Sequence, residues 1–392
     1  WDLPPLVVGL LLATATVGLG YEAASTATTW LPIGVGLAIV AVLKRWWALA
    51  PFGFVLVLGA AYLAGHGWFS AALAATMVAT GVAARLTKGD IAAALQWLSA
   101  GFGAAAWVEL TLALGLSQNE TLTASAVVSA LIAVLAAGVA WTRPSGERLL
   151  RWTAPWAAVA WSGLAFVGSV AFSTDAPSGV TAAVAGAAWV WAGALVVSAV
   201  RLDVSELRIL AVVQTFVGIG LTGWSLGLDA VGWVTWLTSV AAVSTATMMA
   251  VSLRASSTRW VPASAAIAGG SLLAAGAAAA TLWPERQSLV IVLIAATGFT
   301  LAAGAASRDR RWFYLAPGFA FAAWAAFASE AMVGNVQWIS TPLALALLVD
   351  VELARYDRRR RDLKASSEEL VLVELMAMAL FVGPALVQTL AV

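Results

Sequence analysis

The sequence has no cysteine and a single histidine, His66. Without thiols there are no disulfides, no thiolate metal sites and no cysteine nucleophile. With one imidazole, zinc sites and histidine-based general-base chemistry lose nearly all their parts. Charge is scarce as well: 10% of the 392 residues are Asp, Glu, Lys or Arg, against roughly a quarter in soluble domains. The net charge of +1 gives no general attraction to nucleic acid. No GxxxxGK[ST], GxSxG, HExxH or GxGxxG stands in a useful context, so nucleotide hydrolysis and the common hydrolase mechanisms have no support. The chain is expected to be no enzyme and to hold no cofactor and no metal.

What it has instead is apolar mass. Hydrophobic residues make up 62% of the chain, and the mean hydropathy is +0.91. So few charges cannot cover a soluble protein of this size, which leaves an all-α, polytopic membrane protein. The Ala- and Trp-rich composition gives the cytoplasmic membrane of a bacterium as the expected location. The chain opens on Trp1 and not on Met, so a fragment of a longer chain is expected. Residues 3–21 lack a basic leading segment and read as a spanning helix.

A span needs ~20 apolar residues. Cutting at each polar cluster yields fifteen: 3–21, 25–43, 46–65, 68–85, 91–115, 122–142, 152–173, 180–200, 209–228, 231–253, 260–283, 288–306, 312–333, 337–353 and 370–390. The bases test this cut. Lys44, Arg85, Arg143, Arg201, Arg254, Arg308 and Arg355 through Lys364 mark the even connections, while the odd ones carry Glu22, His66, Glu120, Asp175, Asp229 and Glu285. Twenty of the 21 bases fall on one side, Arg286 being the exception. The positive-inside rule makes that side cytoplasmic, with the N-terminus inside and the C-terminus outside. Trp30, Trp68, Trp224 and Trp233 cluster at the outer boundary, and Trp46, Trp141, Trp152 and Trp260 at the inner one, as an aromatic belt would. Pro155, Pro262 and Pro342 fall in the first turns of spans.

The pattern describes one membrane domain, 1–392, built from seven tandem in–out–in hairpins and a final helix. Arg45-Trp46 leads to Pro51, Arg151-Trp152 to Pro155, Arg259-Trp260 to Pro262 and Arg311-Trp312 to Pro317. Duplication of a hairpin and convergence on the same interfacial needs both account for this recurrence. Connections are short except at 354–369, a basic cytoplasmic loop holding Arg355, Arg358, Arg359, Arg360, Arg361 and Lys364. Such a cluster anchors topology, contacts anionic lipid at ~1 kcal/mol per base, or docks a protein partner. Ser366 and Glu369 have capping-box spacing for the last helix.

Acids inside a span are costly and mark functional candidates. Glu109 and Glu330 stand near the outer ends of similarly oriented helices, and are expected on a substrate or ion pathway, facing one vestibule. Asp350, Glu352 and Glu374 lie beside the basic run, where charge pairing accounts for them. Gln96 and Gln214 read as hydrogen-bonding glue between helices, and His66 as an outer-turn residue and candidate pH sensor. Trp97, Trp156, Trp161, Trp189, Trp191 and Trp324 lie deeper than a belt, suited to packing against Gly and Ala. Two functions follow: a transporter or flippase for an amphiphilic or lipid-linked substrate, or a non-catalytic scaffold or subunit of a membrane assembly. The expected partners are membrane lipids and proteins bound through helix faces or the basic loop, and no nucleic acid.

Overall fold

The computed structural model describes Trp30, Ile33, Gly34, Leu37 and residues 50–390, apart from 143–145, 254–258, 283–285, 308, 310, 332–336 and 361–367. In some helical stretches, 329–331 and 357–360 among them, it describes the backbone alone. The spans expected at 3–21 and 25–43 therefore lie almost wholly outside the described residues, as do Arg361, Lys364 and Ser366.

All regular structure among the described residues is helical. The helices are α1 (Ala50–Leu63), α2 (His66–Leu86), α3 (Gly89–Ala113), α4 (Gln118–Thr142), α5 (Gly146–Ser173), α6 (Ser178–Leu202) and α7 (Ser205–Ser225). They continue as α8 (Ala230–Ser252), α9 (Val261–Thr281), α10 (Gln287–Ser307), α11 (Arg311–Ala331), α12 (Gln337–Arg360) and α13 (Glu368–Leu390). Among the described residues nine of these, α2 to α10, are long and apolar enough to cross a membrane. That number falls short of the fifteen expected: spans 3–21 and 25–43 lie almost wholly outside the described residues, parts of α11, α12 and α13 do so too, and α1 is only 14 residues long.

Turn chemistry sets the breaks. At the ends of α3, α5 and α7 the chain turns through a left-handed residue: Gly115 (φ 64°), Asp175 (φ 46°) and Gly227 (φ 60°). Each turn closes with the same long backbone bond, from Leu116 N–H to Thr111, Ala176 to Ala171 and Leu228 to Gly223, at 3.0–3.2 Å. This is the Schellman arrangement, which satisfies carbonyls left over at a helix end. After α3 and α7 the next helix is then capped at once. Ser117 and Glu120 form a capping box, with Ser117 N–H donating to Glu120 Oε2 at 2.8 Å and Glu120 N–H to Ser117 Oγ at 3.4 Å. Asp229 Oδ1 accepts from Gly232 N–H at 2.7 Å. Only Gly, and less easily Asp, takes such a φ cheaply.

Two boundaries differ from the sequence reading. Helix α5 starts at Gly146, so Pro155 sits inside it and not in its first turn; Pro342 is likewise internal to α12, whereas Pro262 does fall at the start of α9. The apolar span and the helix are different objects: residues 146–151, with Glu147, Arg148 and Arg151 among them, continue the helix beyond the apolar stretch. Likewise α12 runs on to Arg360, so the first part of the segment expected as a loop, 354–360, is helical. Arg and Glu are good helix formers, and Arg355 Nη1 donates to Glu352 Oε1 one turn earlier at 2.8 Å.

Packing inverts the order of a water-soluble helix. Along α4 the buried stripe is Leu122, Ala126, Ser129, Ala133, Ala137 and Ala140, while Val127, Leu131, Val134 and Leu135 point outward. In α9, Ala268, Ser271, Ala275 and Ala279 are buried together with one leucine, Leu272, and Leu273 is exposed. Water would drive the large aliphatic residues inward. Lipid tails are as apolar as leucine, so nothing is gained by hiding it, and small residues win the interface because they allow close approach. The helices are thus compatible with a multispanning membrane protein.

The chain divides into two compact units, Trp1–Leu207 and Arg208–Val392. In the first, α2 and α3 form a tight hairpin, and α4 packs on both α5 and α6. In the second, a core of Ile219, Val234, Leu237, Met248, Leu272, Val292 and Phe299 with many alanines joins α7 to α10.

Candidate functional site

The α2–α3 hairpin turns through Thr87 and Lys88, and two antiparallel helices of equal rise place residues equally far from the turn at equal depth. His66 precedes Thr87 by 21 residues, and Glu109 follows Lys88 by 21. The two meet: His66 Nδ1 lies 2.7 Å from Glu109 Oε2. The same register brings Ser70 Oγ to donate to the Ala106 carbonyl at 2.9 Å and Ser99 Oγ to donate to that of Met77 at 2.7 Å. The hairpin is therefore clamped in three places, with an imidazole–carboxylate pair at its open end.

Glu109 lies one turn before the end of α3, with its side chain only 18% exposed, whereas that of His66 is 56% exposed. Covered carboxylates are stable as anions only with a polar partner. With the acid ionised, Nδ1 carries the hydrogen and donates it, which selects one tautomer of the neutral ring. The sequence placed both residues at the outer boundary and did not join them. Their equal distance from the turn was the signal.

Glu330 belongs to α11, and its side chain lies outside the described residues. It falls in the second unit and Glu109 in the first, so the vestibule expected between them has no described geometry. Of the six bases, Arg355 is described in full: Nη1 meets Glu352, and Nη2 meets Glu374 of α13. Its hydrogen bonds to Glu374 and then to Glu352 push the pKa of the guanidinium above its ordinary value. Charge pairing thus accounts for Glu352 and Glu374, and it draws Arg355 to carboxylates. The side chains of Arg358, Arg359, Arg360, Arg361 and Lys364 lie outside the described residues.

The amides expected as glue differ in what surrounds them. Gln96 and Gln214 are both buried, but Gln96 Oε1 has no hydrogen-bond partner. Serine and tryptophan also carry interhelical bonds. Ser129 Oγ donates to the Ala160 carbonyl at 2.8 Å and accepts from Trp191 Nε1 at 2.9 Å, tying α4, α5 and α6 together. Trp107 Nε1 donates to Ser125 Oγ at 2.9 Å, and Trp236 Nε1 to the Ile219 carbonyl at 3.1 Å. The deep tryptophans split accordingly. Trp191 is 4% exposed and Trp189 39%, as their two-residue spacing on a helix requires. Trp97 and Trp161 also face outward, contrary to the packing expected of them.

Among the described residues no three His, Cys, Asp or Glu side chains gather to hold a metal ion. The described residues form a chain of apolar helices, compatible with a multispanning membrane protein, with an imidazole–carboxylate pair at a hairpin end. Comparison with protein-family models, with curated proteins and with solved structures gives no match to this chain.

Proposed function

We propose that the chain is a transporter or flippase that moves an amphiphilic or lipid-linked substrate across the cytoplasmic membrane of a bacterium. In this reading the bases mark the cytoplasmic side, and Glu109 and Glu330 lie on the pathway. One observation carries it: Glu109 is a mostly covered carboxylate in an apolar helix, held by His66 across the hairpin at 2.7 Å. An ionisable residue within an apolar helix is a functional candidate by default. Arg355 through Lys364 are assigned to anionic lipid or a cytoplasmic protein partner, and the mechanism needs no enzymatic step.

The competing reading is a non-catalytic scaffold, favoured by the small-residue stripes that make each helix a packing surface. Vesicles reconstituted with the chain and a panel of fluorescent phospholipids and isoprenoid-linked sugars separate the two. Glu109→Gln and Glu330→Gln are each expected to slow movement roughly tenfold, equivalent to about 1.4 kcal/mol. If both variants stay helical and move every probe as fast as the wild type, the acids have no part in a pathway. A wild type that moves none of them leaves the scaffold.

A further inference from the structure

We propose that the His66–Glu109 pair is a proton-binding site, and that a single proton taken up there from the outer side is the coupling ion. The inference rests on the transport reading and names the ion that the same site can take.

The ligand set decides between a proton and a metal cation. Hard cations such as Ca²⁺ and Mg²⁺ require about six oxygen ligands, and the pair offers one carboxylate. Even with the hydroxyls on the neighbouring turns, Ser70 Oγ (donating to the Ala106 carbonyl at 2.9 Å) and Thr111 Oγ1 (to that of Val108 at 2.7 Å), the set stays short of that number. A proton needs only one base, and histidine is the side chain whose charge changes between pH 5 and 8.

Among the described residues, the titratable groups that the surrounding elements bring to this end of the hairpin are Tyr62, Glu120 and Asp175. From α1 comes Tyr62, whose ring packs edge-on to Phe69 with centroids 5.3 Å apart. From α4 comes Glu120, whose carboxylate is held by Ser117 N–H at 2.8 Å and Ser117 Oγ at 2.7 Å. The outer half of α5 carries no ionisable residue, and the turn after it holds Asp175. Arg85, Lys88 and Asp90 sit at the opposite end of the hairpin.

The step balances simply. In the resting pair the neutral ring donates Nδ1–H to the Glu109 carboxylate, and the net charge is −1. The incoming proton bonds to Nε2, the ring nitrogen not engaged with Glu109. The product is imidazolium with its Nδ1–H still on the carboxylate, and the net charge is zero. Removing that net charge lowers the cost of moving the end of α3 relative to the hydrocarbon, and this is how proton uptake would drive the transition.

His66 is the single histidine of the chain, so histidine-selective ¹⁵N labelling of the whole protein in phospholipid nanodiscs reports on this site without assignment. The neutral wild-type ring is expected as the Nδ1–H tautomer, reverting to the Nε2–H form of free imidazole in Glu109→Ala. In vesicles, an inwardly directed proton gradient is expected to speed wild-type movement of the fluorescent lipids roughly tenfold, about 1.4 kcal/mol. His66→Asn, which keeps an amide donor near the Nδ1 position but does not titrate, is expected to lose that acceleration while staying folded. A wild-type ring in the Nε2–H form, or one unchanged by Glu109→Ala, overturns the site itself. Movement driven by a sodium gradient, or indifferent to pH, overturns proton coupling while leaving transport standing. A wild type that moves no lipid overturns the coupling role, even with the pair visible in the spectrum.

Discussion

Glycine and aromatic side chains meet repeatedly at the helix contacts. A Cβ on Gly103 of α3 would fall 2.8 Å from Trp156 Cζ3 of α5 and 3.1 Å from Met77 Sδ of α2. Gly304 and Phe313 stand in the same relation at 2.9 Å, and Gly223 with Trp233 is tighter still. The ring fills the space a side chain would take, which is how a large residue packs into an interface otherwise made of alanine. Gly103→Ala is therefore expected to destabilise by about 1–3 kcal/mol, the usual range for overpacking. Adding Trp156→Leu should recover most of the loss in a denaturant titration in detergent. Additive losses would show that the ring is not the obstacle. None of these partnerships was legible in sequence, since tryptophan at the same depth faces inward at 191 and outward at 189.

At the scale of the element, the inverted packing of α4 sets up a direct contrast. Ala133 is fully buried, and Leu131, two residues away, is 56% exposed. In a bilayer, Ala133→Leu has no room and should cost about 1–3 kcal/mol, whereas Leu131→Ala exchanges one lipid-facing apolar group for another and should stay within about 0.5 kcal/mol. Reversible unfolding in mixed micelles measures both, and the opposite ranking would mean that α4 is packed as in water. Hairpin register, by contrast, was available from sequence. In α2–α3, α3–α4, α4–α5 and α7–α8 the hydrogen-bonded partners lie nearly equidistant from their turn: Ser70 with Ala106, Trp107 with Ser125, Ser129 with Ala160, and Trp236 with Ile219. A short turn between straight antiparallel helices leaves the register no other choice. His66 with Glu109 is the titratable instance of this rule.

At the scale of the whole molecule, the proposed topology makes the plainest forecast. Because the chain has no cysteine, introduced thiols label without background. Glu120→Cys should react with an impermeant maleimide only from outside the cell, and Ser205→Cys only after the inner face is opened. The reverse pattern would invert the chain, and equal labelling of both would remove the alternation. Several contacts between different helices join ends that the charge pattern assigns to one side. His66 and Glu109 meet at one end of their hairpin. At the other assigned side, Arg201 lies over the Trp141 ring at 5.9 Å, and Arg208 Nη1 reaches the Arg259 carbonyl at 3.5 Å.

Scarcity of charge, absence of cysteine and the spacing of polar clusters determined by themselves that apolar helices follow one another through short turns. They also carried the register within each hairpin, because chain connectivity and helical rise leave it little freedom. Which helices two apart in the chain come together was decided only by the tertiary structure: α4 with α6 through Trp191 and Ser129, and α3 with α5 through Gly103 and Trp156. The reason is physical. In an environment as apolar as the side chains themselves, hydrophobicity does not mark the buried face, and in an alanine-rich chain small residues stand on every face. Close fit between particular side chains then makes the choice, and that fit is written in three dimensions.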